Sequence, residues 1–278
     1  MLFFNYLKST IMSKIVMGVT GVILVLFIIG HSIGNLQVFV GKEALNNYAY
    51  FLQSLGEILW IIRIVLLLCL IFHIITSIRL KFLNLGAKSQ KYRVRNYINA
   101  KLTARTMIWT GIMVFAFLAY HLLHFTIGVT NPKDYEHHDY YEKNASSFIK
   151  NPFESMQGNQ KQMEDIIANN KYTIVKYEGE SYLKNPHTKV LFVRHDVYYM
   201  VVKGFQNPLI TILYIIGVIL LGFHLNHAIQ SAFQTLGFNH PSYTPKIIAG
   251  STILSTIVVI FFISVPIACL LRIVGGSL

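Results

Sequence analysis

The sequence predicts an all-α integral membrane protein: five transmembrane helices in one bundle, with a loop of some 70 residues between the third and the fourth. Three observations predict it. The chain of 278 residues is 54% hydrophobic and carries charge at only 13% of positions, roughly half the share of an ordinary soluble domain. Its uncharged residues gather into five runs, 15–41, 64–78, 106–132, 204–245 and 247–271. Its charges, finally, are sorted by sign along the chain. Length alone would allow one or two soluble domains, but this distribution excludes them.

A hydrocarbon core of ~30 Å takes about 20 apolar residues in a helix, and four of the runs exceed that. Helix I is predicted over 14–40. It follows Lys8 and Lys14 as a secretion signal would, but it is too long for a signal's apolar core and lacks a small-residue cleavage site, so it reads as a retained helix. Helix II, over 58–82, reaches spanning length only by including Arg63, near the helix end, where the guanidinium can snorkel to the interface. Helices III, IV and V are predicted over 102–130, 204–234 and 244–273. Cys69 and Cys269 fall inside spans and belong to no disulfide or metal motif.

Between helices II and III lie Arg79, Lys81, Lys88, Lys91, Arg93, Arg95, Lys101 and Arg105, with no acidic residue among them. A short, wholly basic loop marks the cytoplasmic face of the cytoplasmic (inner) membrane. The N-terminus is then cytoplasmic and the C-terminus outside. All 12 acidic residues fall in the two outer loops: Glu43 and Glu57 in the first, the other ten between Asp134 and Asp196. The net charge of +12 could suggest nucleic acid, but an RNA-binding patch wants interleaved aromatics and a soluble fold. The segment 131–203, with mixed charge and one strand-like stretch at 172–177 (Y-T-I-V-K-Y), reads as a periplasmic loop insertion without chemistry of its own.

Of 11 histidines, six lie within or at the edge of spans: His31, His73, His121, His124, His224 and His227. Ionisable residues in a membrane are costly and mark function. A lone histidine on an apolar face is more often a packing residue, but six on four helices are not explained that way. Helices I and III run outward, so His31 and His121 sit past their midpoints toward the outside. Helices II and IV run inward, which places His73 and His224 on the cytoplasmic side. At 1.5 Å per residue the offsets from mid-membrane are roughly 4–8 Å. The result is two pairs at two depths, His31 with His121 and His73 with His224.

Two opposed neutral imidazoles inside a helical bundle suit the iron of a noncovalently held b-type haem. Small residues beside them, Gly30 and Gly34, Thr76 and Ser77, Gly217 and Gly222, would let a macrocycle approach the backbone. Iron with both axial positions filled transfers electrons and leaves no place for oxygen. Zinc proteases want H-E-x-x-H, and no Asp or Glu occurs in the spans. His124 and His227 each lie one turn beyond a ligand toward the nearer face, where haem propionates emerge or a quinone headgroup docks. A hydrogen bond between helices explains them equally well.

The stretches V-T-G-V-I-L-V-L-F-I-I-G-H-S-I-G-N-L-Q in helix I, F-L-A-Y-H-L-L-H in helix III and Y-I-I-G-V-I-L-L-G-F-H-L-N-H-A-I-Q-S-A-F-Q in helix IV carry a resemblance. So does T-L-G-F-N-H-P-S-Y from Thr235 to Tyr243. The chain resembles the cytochrome b558 subunit of succinate dehydrogenase or fumarate reductase, of the single-subunit, five-helix, two-haem type, over all five helices. It departs from that family in the length of the loop between helices III and IV. The resemblance implies that His31 and His121 hold an outer haem iron and His73 and His224 an inner one. It implies a complex that can oligomerise, in which a flavoprotein oxidises succinate or reduces fumarate and an iron–sulfur subunit relays electrons. This chain would anchor both at its cytoplasmic face and exchange electrons with a quinone, menaquinone by preference, having no dicarboxylate site itself.

In that setting Glu57, at the start of helix II, is a candidate proton carrier for the quinone, or else a charge complementing the helix dipole. Arg63 could pair with a propionate or only snorkel, and Arg79 and Arg105, at the inner face, are propionate or partner-docking candidates. Two rival functions stand beside this one. One is a cytochrome b subunit of another respiratory complex, a nitrate reductase, hydrogenase or formate dehydrogenase. The other is a transporter that relays protons through histidines, which would want acidic residues inside the spans.

Overall fold

The computed structural model describes residues 9–87, 105–144, 173–177, 180–184 and 189–276. The basic stretch 88–104 and the middle of the long loop lie outside the described residues. Among those described, five helices are long and apolar enough to cross a membrane, as in a multi-pass membrane protein.

The first span is α1 (Thr10–Asn35), continued past a one-residue break by α2 (Gln37–Val40). Ser9 caps α1 by accepting the Met12 N–H at 3.0 Å. Gly41, at φ 127°, turns the chain into α3 (Lys42–Ser54), which is too short and too polar to span. Gly56, at φ 52°, turns it again into the second span, α4 (Glu57–Gly86). Both glycines adopt a left-handed φ that side-chain-bearing residues rarely take. The third span is α5 (Met107–His121), ending in a π turn (Leu122–Thr126). The last two spans are α8 (Pro208–Thr235) and α9 (Thr244–Leu270). Hydroxyls within the spans are satisfied internally, as an apolar surround requires. Thr20 donates to Val16 O at 2.7 Å, Ser32 to Ile29 O at 2.7 Å, Ser77 to Ile74 O at 2.9 Å and Ser251 to Ile248 O at 2.8 Å.

Helix α8 is the hub of the bundle and packs on α1, α5 and α9. Among the spans, α4 packs extensively only on α1, and α5 only on α8. Most apolar side chains of α4 are exposed, with Cys69 and Leu80 its buried residues.

Helix I begins at Thr10 and not 14, helix II runs to Gly86 and not 82, and helix III begins at Met107 and not 102; three further departures have a local reason. Helix III stops at Thr126 and not at 130, because the π turn ends in Gly128 at φ 78°, where a Cβ would stand 2.2 Å from the Tyr135 ring. Helix IV does not begin at 204. A separate helix, α7 (Val197–Gln206), ends at Asn207, whose side chain accepts the Leu209 N–H at 3.0 Å and starts α8 with Pro208 in its first position. Helix V stops at Leu270, short of 273, and Arg272 at φ 56° closes it.

The segment between α5 and α8 is more than one strand, so the chain is mostly helical but not all-α. Among the described residues it holds α6 (Pro132–Tyr135) and four strands, β1 (His138–Asn144), β2 (Thr173–Tyr177), β3 (Glu180–Lys184) and β4 (Lys189–His195). They form an antiparallel sheet in the order β1-β4-β3-β2, with His138 opposite His195 and Thr173 opposite Lys184. The stretch expected at 172–177 is β2.

A buried polar cluster ties this cap to α3. Arg194, 4% exposed, donates through Nε and Nη2 to Asp139 Oδ2 at 3.1 and 2.7 Å, through Nη1 to Asn47 at 2.6 Å and through Nη2 to Glu43 at 2.8 Å. Lys42 Nζ pairs with Asp139 at 2.7 Å and with Asp196 at 3.2 Å. Asn46, 1% exposed, donates to Asp196 Oδ1 at 2.9 Å and accepts the Tyr198 N–H at 2.8 Å. Burial opposes the ionisation of Asp139, but the hydrogen bonds from Lys42 and Arg194 outweigh it and hold the carboxyl below its usual range. Charges this buried persist only when each is paired.

Candidate functional site

Four of the span histidines meet in two pairs. His73 on α4 and His224 on α8 approach with ring centroids 6.4 Å apart and planes at 70°. Each is held from behind. His73 Nδ1 lies 3.2 Å from the Met17 carbonyl of α1. A carbonyl only accepts, so Nδ1 carries the proton and Nε2 keeps its lone pair. His224 Nδ1 lies 3.4 Å from Thr110 Oγ1 of α5. That hydroxyl already donates to Met107 O at 3.0 Å, so it accepts from His224 Nδ1, and again Nε2 is bare.

Glycines make room for both rings. A Cβ on Gly21 of α1 would stand 3.3 Å from His73 Cε1, and one on Gly111 of α5 would stand 3.4 Å from His224 Cε1. The inner imidazoles therefore lie close against the backbones of the neighbouring helices.

The second pair is His31 on α1 and His121 on α5, with centroids 5.9 Å apart and planes at 81°. It is framed by aromatic rings and not by hydrogen bonds to helix backbones. Phe27 stacks on His31 at 5.5 Å, and Phe262 lies 5.8 Å from it. Phe117, Phe125 and Tyr214 stand 6.2, 5.9 and 5.9 Å from His121. His31 follows Gly21, and His121 follows Gly111, by the same ten residues. At 1.5 Å per residue, the two pairs stand ~15 Å apart along the bundle.

Each pair joins helices that do not pack extensively on one another, α1 with α5 and α4 with α8. The packed edges are α4–α1, α1–α8 and α8–α5. The two pairs therefore lie on the diagonals of a four-helix square, one level above the other.

No family model, curated protein or solved structure matches the chain. What the chain does has to be read from its own side chains. Among the described residues, no group of three or more His, Cys, Asp or Glu is placed to hold a metal ion. The pairs stand as pairs.

The other residues that the sequence singles out scatter. His124, 2% exposed, bonds through Nδ1 to Tyr214 Oη at 3.0 Å and stacks on Phe125 at 4.0 Å. A Cβ on Gly204 of α7 would stand 3.2 Å from it. It is a buried helix-interface residue. His227 is half-buried beside His224 on α8. Arg63 is exposed and lies over the Trp60 ring, 5.1 Å from its centroid, while Arg79 bonds to Ser13 of α1. Arg105 is exposed just before α5, and Glu57 is exposed in the first turn of α4.

Of the small residues expected beside the four histidines, Gly30 opens onto free space, but Gly34 is covered by Tyr48, Gly217 by Phe117 and Gly222 by Val259. The glycines that face the imidazoles of the two pairs are Gly21 and Gly111, which proximity along the chain does not pick out. Their signal lies in the repeated ten-residue step from glycine to histidine in the first and third spans. Tyr214 carries no such signal, being one aromatic among many.

Proposed function

We propose that the chain is a di-haem cytochrome b, the membrane-anchor subunit of a succinate:quinone oxidoreductase (succinate dehydrogenase or fumarate reductase). It carries electrons between an iron–sulfur subunit and a membrane quinone, menaquinone by preference. The observation that carries this reading is the two imidazole pairs stacked at two levels inside apolar helices, the inner one with both Nε2 atoms bare. A metal–imidazole bond of ~2.0–2.1 Å on each side sets two ring centroids roughly 6–6.5 Å apart. The separations of 5.9 and 6.4 Å fit a metal between two rings.

When bound, b-type haem supplies one-electron redox chemistry at each level. The protein's own residues do the rest. Met17 O and Thr110 Oγ1 fix the inner rings in the tautomer that presents Nε2. Phe27, Phe117 and Phe262 exclude water from the outer pair. We place the cap end of the bundle outside the cytoplasmic membrane and the 88–104 loop inside, where it receives the flavoprotein and iron–sulfur subunits. A charge crossing the full membrane is coupled to ~2.3 kcal/mol per 100 mV, so two levels across the bilayer can link quinone chemistry to membrane potential.

The test is a dithionite-reduced minus oxidised spectrum with a pyridine haemochrome assay on the purified chain and whatever co-purifies with it. Two protohaems per chain are expected. Replacing His73 or His224 should remove one, and replacing His31 or His121 the other. A colourless protein sinks the reading. Co-purification with a nitrate reductase, hydrogenase or formate dehydrogenase would move it to another respiratory complex.

A further inference from the structure

We infer that Tyr214, clamped by His124, is the positioning residue that sets the ring plane of His121; the inference rests on the two-haem reading above. The two pairs are oriented by different means. At the inner pair each imidazole is pinned by a hydrogen bond to the next helix, His73 by Met17 O and His224 by Thr110 Oγ1. At the outer pair the side chains around His121 are aromatic, and Tyr214 is the one with a polar anchor of its own.

Tyr214, 4% exposed, stands at the centre of a box of rings. Phe117, Phe125 and Phe205 lie 5.2, 5.5 and 4.9 Å from it, edge-on, and His121 lies 5.9 Å away at 64°. Its hydroxyl meets His124 Nδ1 at 3.0 Å. His124 cannot turn away, because Phe125 stacks on one face at 4.0 Å and the bare backbone of Gly204 closes over it, leaving room for a Cβ only at 3.2–3.3 Å.

The π turn makes this arrangement possible. On a continued α-helix, residues three apart share a face, and His124 would lie beside His121. The turn over Leu122–Thr126 holds His124 against Tyr214, 2% exposed. Such turns concentrate at functional sites. Gly204 and Phe205 belong to α7, outside the five spans, so the cap helix supplies one wall of the box.

The orientation of an axial imidazole governs the electronic structure of low-spin haem iron, and outlying hydrogen bonds and packing tune it. The test is low-temperature electron paramagnetic resonance of the haem-loaded protein, with redox titration, on Tyr214→Phe and His124→Asn. Tyr120→Phe serves as the control, since the Tyr120 ring meets His124 and Tyr214, at 5.6 and 5.9 Å, but carries neither end of the Tyr214–His124 hydrogen bond. Both test variants should keep two haems. The low-field signal and midpoint potential assigned to the outer haem, the one lost in His31 variants, should shift. The inner signal should stay in place, and Tyr120→Phe should change neither. An outer signal that does not move at full haem content overturns the inference, and so does an equal shift of both. A wild-type protein without haem overturns the functional reading itself. His124→Asn retains the Tyr214 ring, so it decides the matter if Tyr214→Phe does not fold.

Discussion

The His73 imidazole lies across Gly21, one helix over, so closely that a single Cβ would stand 3.3 Å from its Cε1. His224 repeats the relationship on Gly111 at 3.4 Å. Valine at either glycine cannot be accommodated by the few tenths of an ångström that an imidazole can yield, and overpacking of this kind costs ~1–3 kcal/mol. Gly21→Val and Gly111→Val should therefore reduce haem content from two per chain to one. The lost haem should match the one missing in His73 variants, because the other pair stands ~15 Å away. Full haem content in both would show that the inner rings do not depend on this clearance.

Thr110→Val keeps the shape of the side chain and removes the oxygen that accepts from His224 Nδ1. Losing the outlying partner of a metal-bound histidine typically weakens metal retention 10–100-fold. The variant should lose its inner haem to an apo-myoglobin trap that much faster than the wild type. Equal rates would mean that packing alone orients His224.

The cap is locked to α3 by charges, and Arg194→Met removes the cation that joins Asp139, Glu43 and Asn47. Breaking a buried pair at one partner costs ~3–5 kcal/mol. Lys42 still pairs with Asp139, so we expect the low end, about 3 kcal/mol, or roughly 100-fold in the opening equilibrium. Proteolytic cleavage within the cap should accelerate accordingly, with haem content unchanged.

Acidification should loosen the cap in two steps. Burial, with His138 and His137 acting in the same sense, holds His195 below its ordinary 6.5, against the pull of the Tyr135 carbonyl and Asp196. The unfolded segment thus takes up a proton that the folded one resists, so this contribution is complete above pH 6.5 and falls as the pH drops below it. Asp139 is held below 3.8, so its contribution is present above 3.8 and disappears only below that. Hydrogen exchange in β4 and α7, corrected for intrinsic rates, should quicken as the pH falls below 6.5. His195→Gln should abolish that first step and leave the second.

Glu57 opens α4 as an exposed carboxylate at the cap end. If it carries protons to the quinone, Glu57→Gln abolishes quinone-linked turnover and leaves both haem spectra intact. Normal turnover would return Glu57 to the role of a charge at a helix N-terminus.

The five spans were legible because apolar length and charge exclusion are local properties of the chain. The pairing of His31 with His121 and of His73 with His224 followed from depth alone, since a helix converts residue number into height. What height cannot give is azimuth. Gly34 and Gly217 were expected to clear space near the ligands, yet Tyr48 and Phe117 fill it, whereas Gly21 and Gly111 do the clearing. The break before α8 was written in Asn207-Pro208 but hidden inside a longer uncharged run. The π turn and the pairing of β1 with β4, 45 positions apart from Asn144 to Lys189, depend on contacts that no local pattern encodes.

Each histidine pair takes one member from the first two spans and one from the later spans. During synthesis, then, neither binding level exists while only the first helical hairpin has entered the bilayer. The upper level is completed when α5 inserts and the lower only with α8. A ribosome stalled before α8 leaves a chain able to form at most one of the two, so on the two-haem proposal loading would come late in biogenesis and would report on whether the bundle has closed.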